Sequence, residues 1–148
     1  MNAAALIVAI FALGVSLAAF VFEYISRRRQ LFLTIYGTLL EADQQRGRRF
    51  VHQLAESGSA YDSLDESARD TVNHALSTLN VLGFLYHRRY ISRRDALSLW
   101  GPATLRVRRS AHISGFLAYR DGLEGGRVWP FFRSFSDDAE KFNKQGPS

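Results

Sequence analysis

The sequence predicts an all-α protein in which an N-terminal transmembrane helix continues into a small cytoplasmic helical bundle. Residues 1–22 carry no charged side chain, and Arg27, Arg28 and Arg29 follow shortly after. In the remainder, apolar side chains recur at helical spacing and strand patterns are scarce. We expect three segments: a transmembrane helix at 1–22, a helical cytoplasmic domain at 23–142 and a flexible tail at 143–148.

The apolar run after Asn2 has the length of a membrane span. About 20 residues in a helix reach about 30 Å, the thickness of the hydrocarbon core of a bilayer. Arg27, Arg28 and Arg29 are the topology-determining residues, because the basic flank of a span remains cytoplasmic. We therefore expect the N-terminus outside and the C-terminal domain in the cytoplasm. A cleaved signal peptide is the competing interpretation, although no basic residue precedes the run as it usually does in such peptides.

Composition excludes several chemistries and suggests one partner. The chain has no cysteine, which excludes disulfides and thiol catalysis. All but two of its 19 basic residues are arginine, and the net charge is +5. The residues expected to contact an anionic surface are Arg88, Arg89, Arg93, Arg94, Arg106, Arg108 and Arg109. A lipid leaflet is the favoured surface, because no nucleic-acid-reading motif accompanies these arginines. Codon bias in a GC-rich genome would explain the arginine excess equally well.

The first helix should continue past the membrane to about Glu56, with a bend near Gly47. Ser57-Gly58-Ser59 ends it. A capping box of Ser63 and Glu66 predicts the start of the second helix. Its inner face is expected to comprise Val72, Leu76, Leu79, Gly83, Tyr86 and Tyr90, which makes this helix the most buried one.

Three more helices are expected after residue 90. Ser92 to Asp95 forms a second capping box for a short helix that ends at Gly101-Pro102. The next helix should run from about Ala103 to Arg120, with an inner stripe of Leu105, His112, Phe116 and Tyr119. A loop at 122–126 follows, and Trp129-Pro130 opens the last helix, because proline suits a first turn. Its apolar side chains, Phe131, Phe132, Phe135 and Phe142, together with Trp129, are core residues by default and a partner surface if exposed.

No catalytic, cofactor-binding or metal-binding motif is present. The four histidines, His52, His74, His87 and His112, are dispersed and lack the spacing of metal ligands. His112 lies near Ser114 in sequence, but positions i and i+2 on a helix point apart. A ligand pocket inside the bundle remains an alternative, and its candidate residues are Asn80, Tyr86, His112 and Tyr119.

Three stretches resemble an uncharacterised family of bacterial single-span membrane proteins with a small helical cytoplasmic domain of unknown function. They are residues 80–85 (NVLGFL) with the basic link Arg88-Arg89-Tyr90-Ile91, residues 95–101 (DALSLWG), and the aromatic stretch from Trp129 to Phe135. The resemblance implies this architecture and a location in the bacterial inner membrane. It implies no activity.

The expected function is that of a membrane-anchored protein-interaction or scaffolding module. Its partners would be the lipid bilayer and either another protein or a second copy of the chain. A small-ligand sensor or an enzyme with a pocket inside the bundle is the alternative.

Overall fold

The computed structural model describes residues 2–58, 61 and 64–145, and within them the chain forms six helices and no strand. In chain order these are α1 (Ala3–Leu40), α2 (Ala42–Ser57), α3 (Glu66–His87), α4 (Arg93–Ile113), α5 (Phe116–Glu124) and α6 (Pro130–Gln145). The all-α prediction is confirmed, with a long apolar N-terminal helix followed by a small bundle.

Helix α1 has two parts with different surroundings. Near its N-terminus an 18-residue window has a mean hydropathy of 2.7, and none of it is buried. By length and composition this helix could cross a membrane, and no other described helix meets that condition. Toward its C-terminus, Ile35 and Leu39 are buried in the bundle core. The apolar segment therefore continues without a break into a helix that packs in the bundle, as the sequence predicts.

The bend after α1 lies at Glu41, so its prediction near Gly47 is wrong. Glu41 leaves the helical conformation with ψ of 147°. Side chains from α2 replace the lost helical bonds: Gln45 donates to the Leu40 carbonyl at 2.7 Å and Arg48 to the Leu39 carbonyl at 2.8 Å. Gly47 instead lies inside α2, where α3 approaches so closely that a Cβ would be 2.4 Å from the Thr71 carbonyl oxygen.

Helix α3 is the central helix and packs against α2 and α6. Asp65 caps its start by accepting a hydrogen bond from the Ala68 N–H at 2.7 Å. The predicted cap Ser63, like Ser59, lies outside the described residues. The predicted inner face is buried except for Tyr90, which follows the end of the helix and is exposed.

Helix α4 passes through Gly101-Pro102, so the predicted break there is wrong. Pro102 has no N–H to donate to the carbonyl of Ser98, four residues earlier, and Ser98 is exposed, so water can satisfy that carbonyl. Gly101 faces α6, where its missing Cβ would lie 3.2 Å from that of Ala139. Helix α4 ends before Gly115, whose φ is 72°, and α5 begins after it. The inner stripe predicted for a single helix from Ala103 to Arg120 is therefore divided between α4 and α5. His112 is exposed, while Val107 and Ala111 are buried in its place.

Helix α6 begins after Trp129 as predicted, and α3 holds its start. The Asn80 side-chain oxygen accepts hydrogen bonds from the N–H groups of Phe131 and Phe132, at 3.0 and 3.1 Å. These N–H groups belong to the first turn of α6, where a helix provides no carbonyl to accept from them. Phe132 and Phe135 are fully buried in the core, and Phe142 is partly buried against it. Phe131 is half-buried and makes an edge contact with the Phe84 ring. The helix continues to Gln145, and the first part of the predicted flexible tail is therefore helical.

Candidate interaction surfaces

The connection between α3 and α4 lies beside the arginine triplet of α1. Arg28 Nη2 donates a hydrogen bond to the carbonyl of Ile91 at 3.0 Å, and Ile91 is fully buried. The Arg28 guanidinium also lies over the Tyr24 ring, 5.7 Å from its centroid. These contacts fix the start of α4 near the end of the apolar segment.

From this point α4 runs away from the apolar segment. Eight residues after Arg28, Tyr36 makes an edge contact with Trp100, with 5.8 Å between ring centroids. Trp100 itself lies nine residues after Ile91, so both helices advance in the same direction. The N-terminal end of α4 is thus proximal to the apolar segment, and its C-terminal end is distal.

A groove of about 540 Å³ opens between α1 and the start of α4, and we call it the proximal groove. Its lining residues are Ile25, Arg28, Arg29, Phe32, Leu33, Ser92 and Asp95. Ser92 caps α4 by accepting a hydrogen bond from the Asp95 N–H at 3.4 Å. Arg29 and the Asp95 carboxylate are exposed, and neither side chain forms an ion pair within the described part of the chain.

The arginines expected to form one basic surface are divided between two regions. Arg88 and Arg89 are exposed on the α3–α4 connection, near the proximal groove, and Arg94 is exposed in the first turn of α4. Arg106, Arg108 and Arg109 lie on the distal part of α4, about 20 Å further along the helix. A flat anionic surface perpendicular to α1 that contacts the first set would therefore not reach the second.

Arg93 belongs to neither set, because it is part of a structural network. It donates to the Tyr86 hydroxyl at 2.7 Å and to Asp138 at 3.2 Å, while that hydroxyl donates to Asp138 at 3.0 Å. Burial is the main cause that raises the pKa of Tyr86, so the hydroxyl keeps its proton. The network connects α3, α4 and α6.

Two adjoining clefts mark the distal region, and we call them together the distal clefts. The larger, of about 560 Å³, is lined by Leu105, Arg106, Arg108, Arg109, His112, Ile113 and Glu140. The smaller, of about 350 Å³, is lined by Leu40, Gln45, Arg48, Arg49, His52, Ala103, Arg106 and Val107. Arg106 lines both clefts, and Arg108 forms an ion pair with Asp137. Ile113 adds an exposed apolar side chain to this basic region.

His52 connects α2 to α4 at the edge of the smaller cleft. Its Nδ1 lies 2.8 Å from the Ser110 hydroxyl oxygen. Burial, with help from Arg106 and Arg48, lowers the pKa of His52, and Glu56 opposes them. The ring is therefore neutral at pH 7. Ser110 does not line the cleft, and the pair has the geometry of an interhelical hydrogen bond.

The four residues of the predicted ligand pocket have separate surroundings. Asn80 caps α6, and Tyr86 is bonded to Asp138. Tyr119 packs against Tyr61, with 4.9 Å between ring centroids, and His112 lines the larger distal cleft. Of the four, only His112 lines one of the three clefts described above, and in the described residues no three potential metal ligands converge.

Sequence reasoning missed the contacts that define these surfaces. Arg28 and Ile91 are 63 positions apart, and His52 and Ser110 are 58 apart. It also missed Gln44, which is fully buried and bonded to His74 at 2.9 Å. No local sequence pattern predicts contacts between residues so far apart. The arginine triplet and the Ser92 cap could be predicted, because each lies within a few consecutive residues.

Comparison of the chain with protein-family models, curated proteins and solved structures finds no match. The resemblance to a bacterial membrane family therefore stays a prediction.

Proposed function

We propose that the chain is a single-span membrane protein whose bundle is a protein-interaction module. The apolar half of α1 supports the span, since a core helix of a soluble protein would be buried and this window is not. Its helical backbone would satisfy its own hydrogen bonds in lipid. Because α1 continues without a break through Leu40, the span would be joined to the bundle by helix rather than by a loop.

Arg27, Arg28 and Arg29 support the orientation. They lie on the bundle side of the span, and basic residues close to a span favour the cytoplasmic side. The proposed location is the bacterial inner membrane, with the N-terminus outside and the bundle in the cytoplasm.

The observation that carries the interaction function is the composition of the distal clefts. Arg106 and Arg109 are exposed there without ion pairs in the described part, and Ile113 is exposed beside them. An acidic segment with an apolar side chain would pair with the arginines and cover Ile113. The phenylalanines of α6 are buried or half-buried, so they offer less exposed apolar surface than Ile113 does.

A reporter fused after Ser148 tests the span and its orientation. We expect activity of a cytoplasmic reporter and none of a periplasmic one. Replacing Arg27, Arg28 and Arg29 with alanine should produce a mixed topology, because the charge difference across the span is removed. Activity of the periplasmic reporter alone on the unaltered chain would refute the orientation.

A photoreactive residue tests the interaction surface in native membranes. Ile113 and Leu123 are both 61% exposed, which makes Leu123 a matched control on α5. We expect a protein adduct from position 113 and not from position 123. The adduct should disappear when Arg106 and Arg109 are replaced by glutamate. Equal adducts from both positions, or no dependence on the two arginines, would contradict the proposed surface.

A further inference from the structure

We propose that the proximal groove binds a phospholipid headgroup that carries both a phosphate and a primary ammonium group. This inference rests on the proposed span. Arg28 lies about 9 Å beyond the last residue of the apolar run along α1. The polar layer of a bilayer is about 5–8 Å deep on each side. Ile25, about 5 Å beyond the run, would lie within this layer, and Arg28 would lie just outside it. The groove would therefore open at the outer edge of the headgroup layer, within reach of a lipid headgroup.

The cationic side of the groove suits a phosphate. Arg28 lines the groove and is held in place by the Ile91 carbonyl and the Tyr24 ring. Arg29 is exposed beside it, with no ion pair within the described residues. A guanidinium presents a planar set of donors that matches phosphate oxygens. Arg88 and Arg89 on the neighbouring connection add attraction toward an anionic leaflet.

Asp95 narrows the choice of headgroup. Its backbone N–H is occupied by the Ser92 cap, but its carboxylate is exposed in the groove without a cationic partner in the described part of the chain. A headgroup with negative charge only would be repelled by this carboxylate. A phosphate joined to a primary ammonium would place one charge against Arg29 and the opposite charge against Asp95.

The apolar lining suits the rest of the lipid. Ile25 is half exposed at the end of the groove that faces the apolar segment, where the glycerol backbone and upper acyl chain would lie. Phe32 and Leu33 line the other end and would exclude water from the ion pairs. Charge-assisted hydrogen bonds are stronger where water is excluded.

Native mass spectrometry of the full chain in mild detergent tests the proposal. The probes are dioctanoyl phosphatidylethanolamine, phosphatidylglycerol and phosphatidylcholine. For the unaltered chain we expect the ethanolamine lipid to be retained most. Arg29→Ala should weaken retention of the ethanolamine and glycerol lipids about tenfold, as the loss of a charged hydrogen bond implies. Asp95→Asn should remove the preference for the ethanolamine lipid over the glycerol lipid.

Arg127→Ala is the matched control, because Arg127 is an exposed arginine on the connection between α5 and α6. The proposal is wrong if Arg29→Ala and Arg127→Ala retain the lipids equally, or if Asp95→Asn leaves their order unchanged. The lipid proposal is also wrong if Arg29→Ala dissociates a dimer of the chain without altering lipid retention. A second copy of the chain would then occupy the groove. Flotation with phosphatidylcholine vesicles after an alkaline wash separates the two proposals. A chain that does not float refutes the span. A chain that floats but shows no headgroup preference in the mass spectrometry refutes only the groove.

Discussion

Phenylalanines occur in two contrasting environments in this molecule. Phe11, in the apolar half of α1, is 73% exposed, whereas Phe135 in α6 is fully buried among other rings. Both lie on helices, but Phe11 belongs to a run without charged side chains and Phe135 lies among polar and charged neighbours in sequence. The bundle can cover only the side chains that face it, and most of α1 extends beyond that cover.

This contrast shows what each region depends on. The bundle buries its apolar surface internally, so its stability should follow the packing of its own side chains. The exposed half of α1 has no such packing, and its side chains require an apolar environment from outside the chain. Substitutions at matched positions can therefore separate the two regions.

The largest difference is expected between Phe135→Ala and Phe11→Ala. Phe135 packs edge-on against Tyr86, with ring centroids 4.9 Å apart, and its removal leaves a cavity. We expect a loss of about 3–5 kcal/mol in the free energy of unfolding of the bundle. Phe11→Ala should leave that free energy unchanged. Urea unfolding in micelles, followed by tryptophan fluorescence, measures this, since Trp100 and Trp129 both lie in the bundle. A comparable loss from Phe11→Ala would mean that the two regions unfold as one.

A smaller difference is expected between Gly83→Ala and Gly37→Ala. A Cβ at Gly83 would be 2.3 Å from the Phe131 carbonyl oxygen, whereas one at Gly37 would have nothing within 4 Å. The backbone at Phe131 is held by Asn80, so it cannot yield freely. We expect Gly83→Ala to destabilise the bundle by about 1–3 kcal/mol. Gly37→Ala should stabilise α1 by up to about 1 kcal/mol, because alanine favours a helix. The same unfolding experiment measures both, and equal effects would refute the close approach of α3 and α6.

Features within one helical turn were predictable from the sequence, and features between helices were not. The cap at Ser92 and the start of α6 at Trp129-Pro130 depend on local chemistry and are confirmed. The break at Gly101-Pro102 was wrong because tertiary position decided it: Pro102 faces solvent and Gly101 faces α6. Gly47 was mistaken for a bend for the same reason, because its lack of a side chain serves the contact with α3.

The candidate surfaces follow the same rule. The arginines of the triplet were identified as a group because they are adjacent. Their relation to Ile91, and so the proximal groove, depends on how α1 packs beside the α3–α4 connection. The distal clefts likewise require α2 and α6 to pack beside α4, and no spacing within one helix predicts that.

The smallest expected effect concerns pH and separates the regions in another way. His52 lies in the bundle and its pKa is lowered, chiefly by burial. Protonation therefore favours the unfolded chain, in which the pKa is near 6.5. The stability that neutral His52 contributes is present above pH 6.5 and is lost as the pH falls through the lower pKa of the folded state. Residues 2–22 have no ionisable side chain, so acid should destabilise the bundle without releasing the proposed span from vesicles.

His52→Gln tests this assignment, because glutamine can still bond to Ser110 but does not gain a charge in this range. We expect the variant to lose less stability than the unaltered chain between about pH 6.5 and pH 5. Arg106→Ala should raise the pKa of His52, measured by NMR titration, because the nearby positive charge helps to lower it. His112→Gln is the control, since His112 is exposed. If His52→Gln and His112→Gln gave the same stability profile in acid, the pH response would not arise at the contact between α2 and α4.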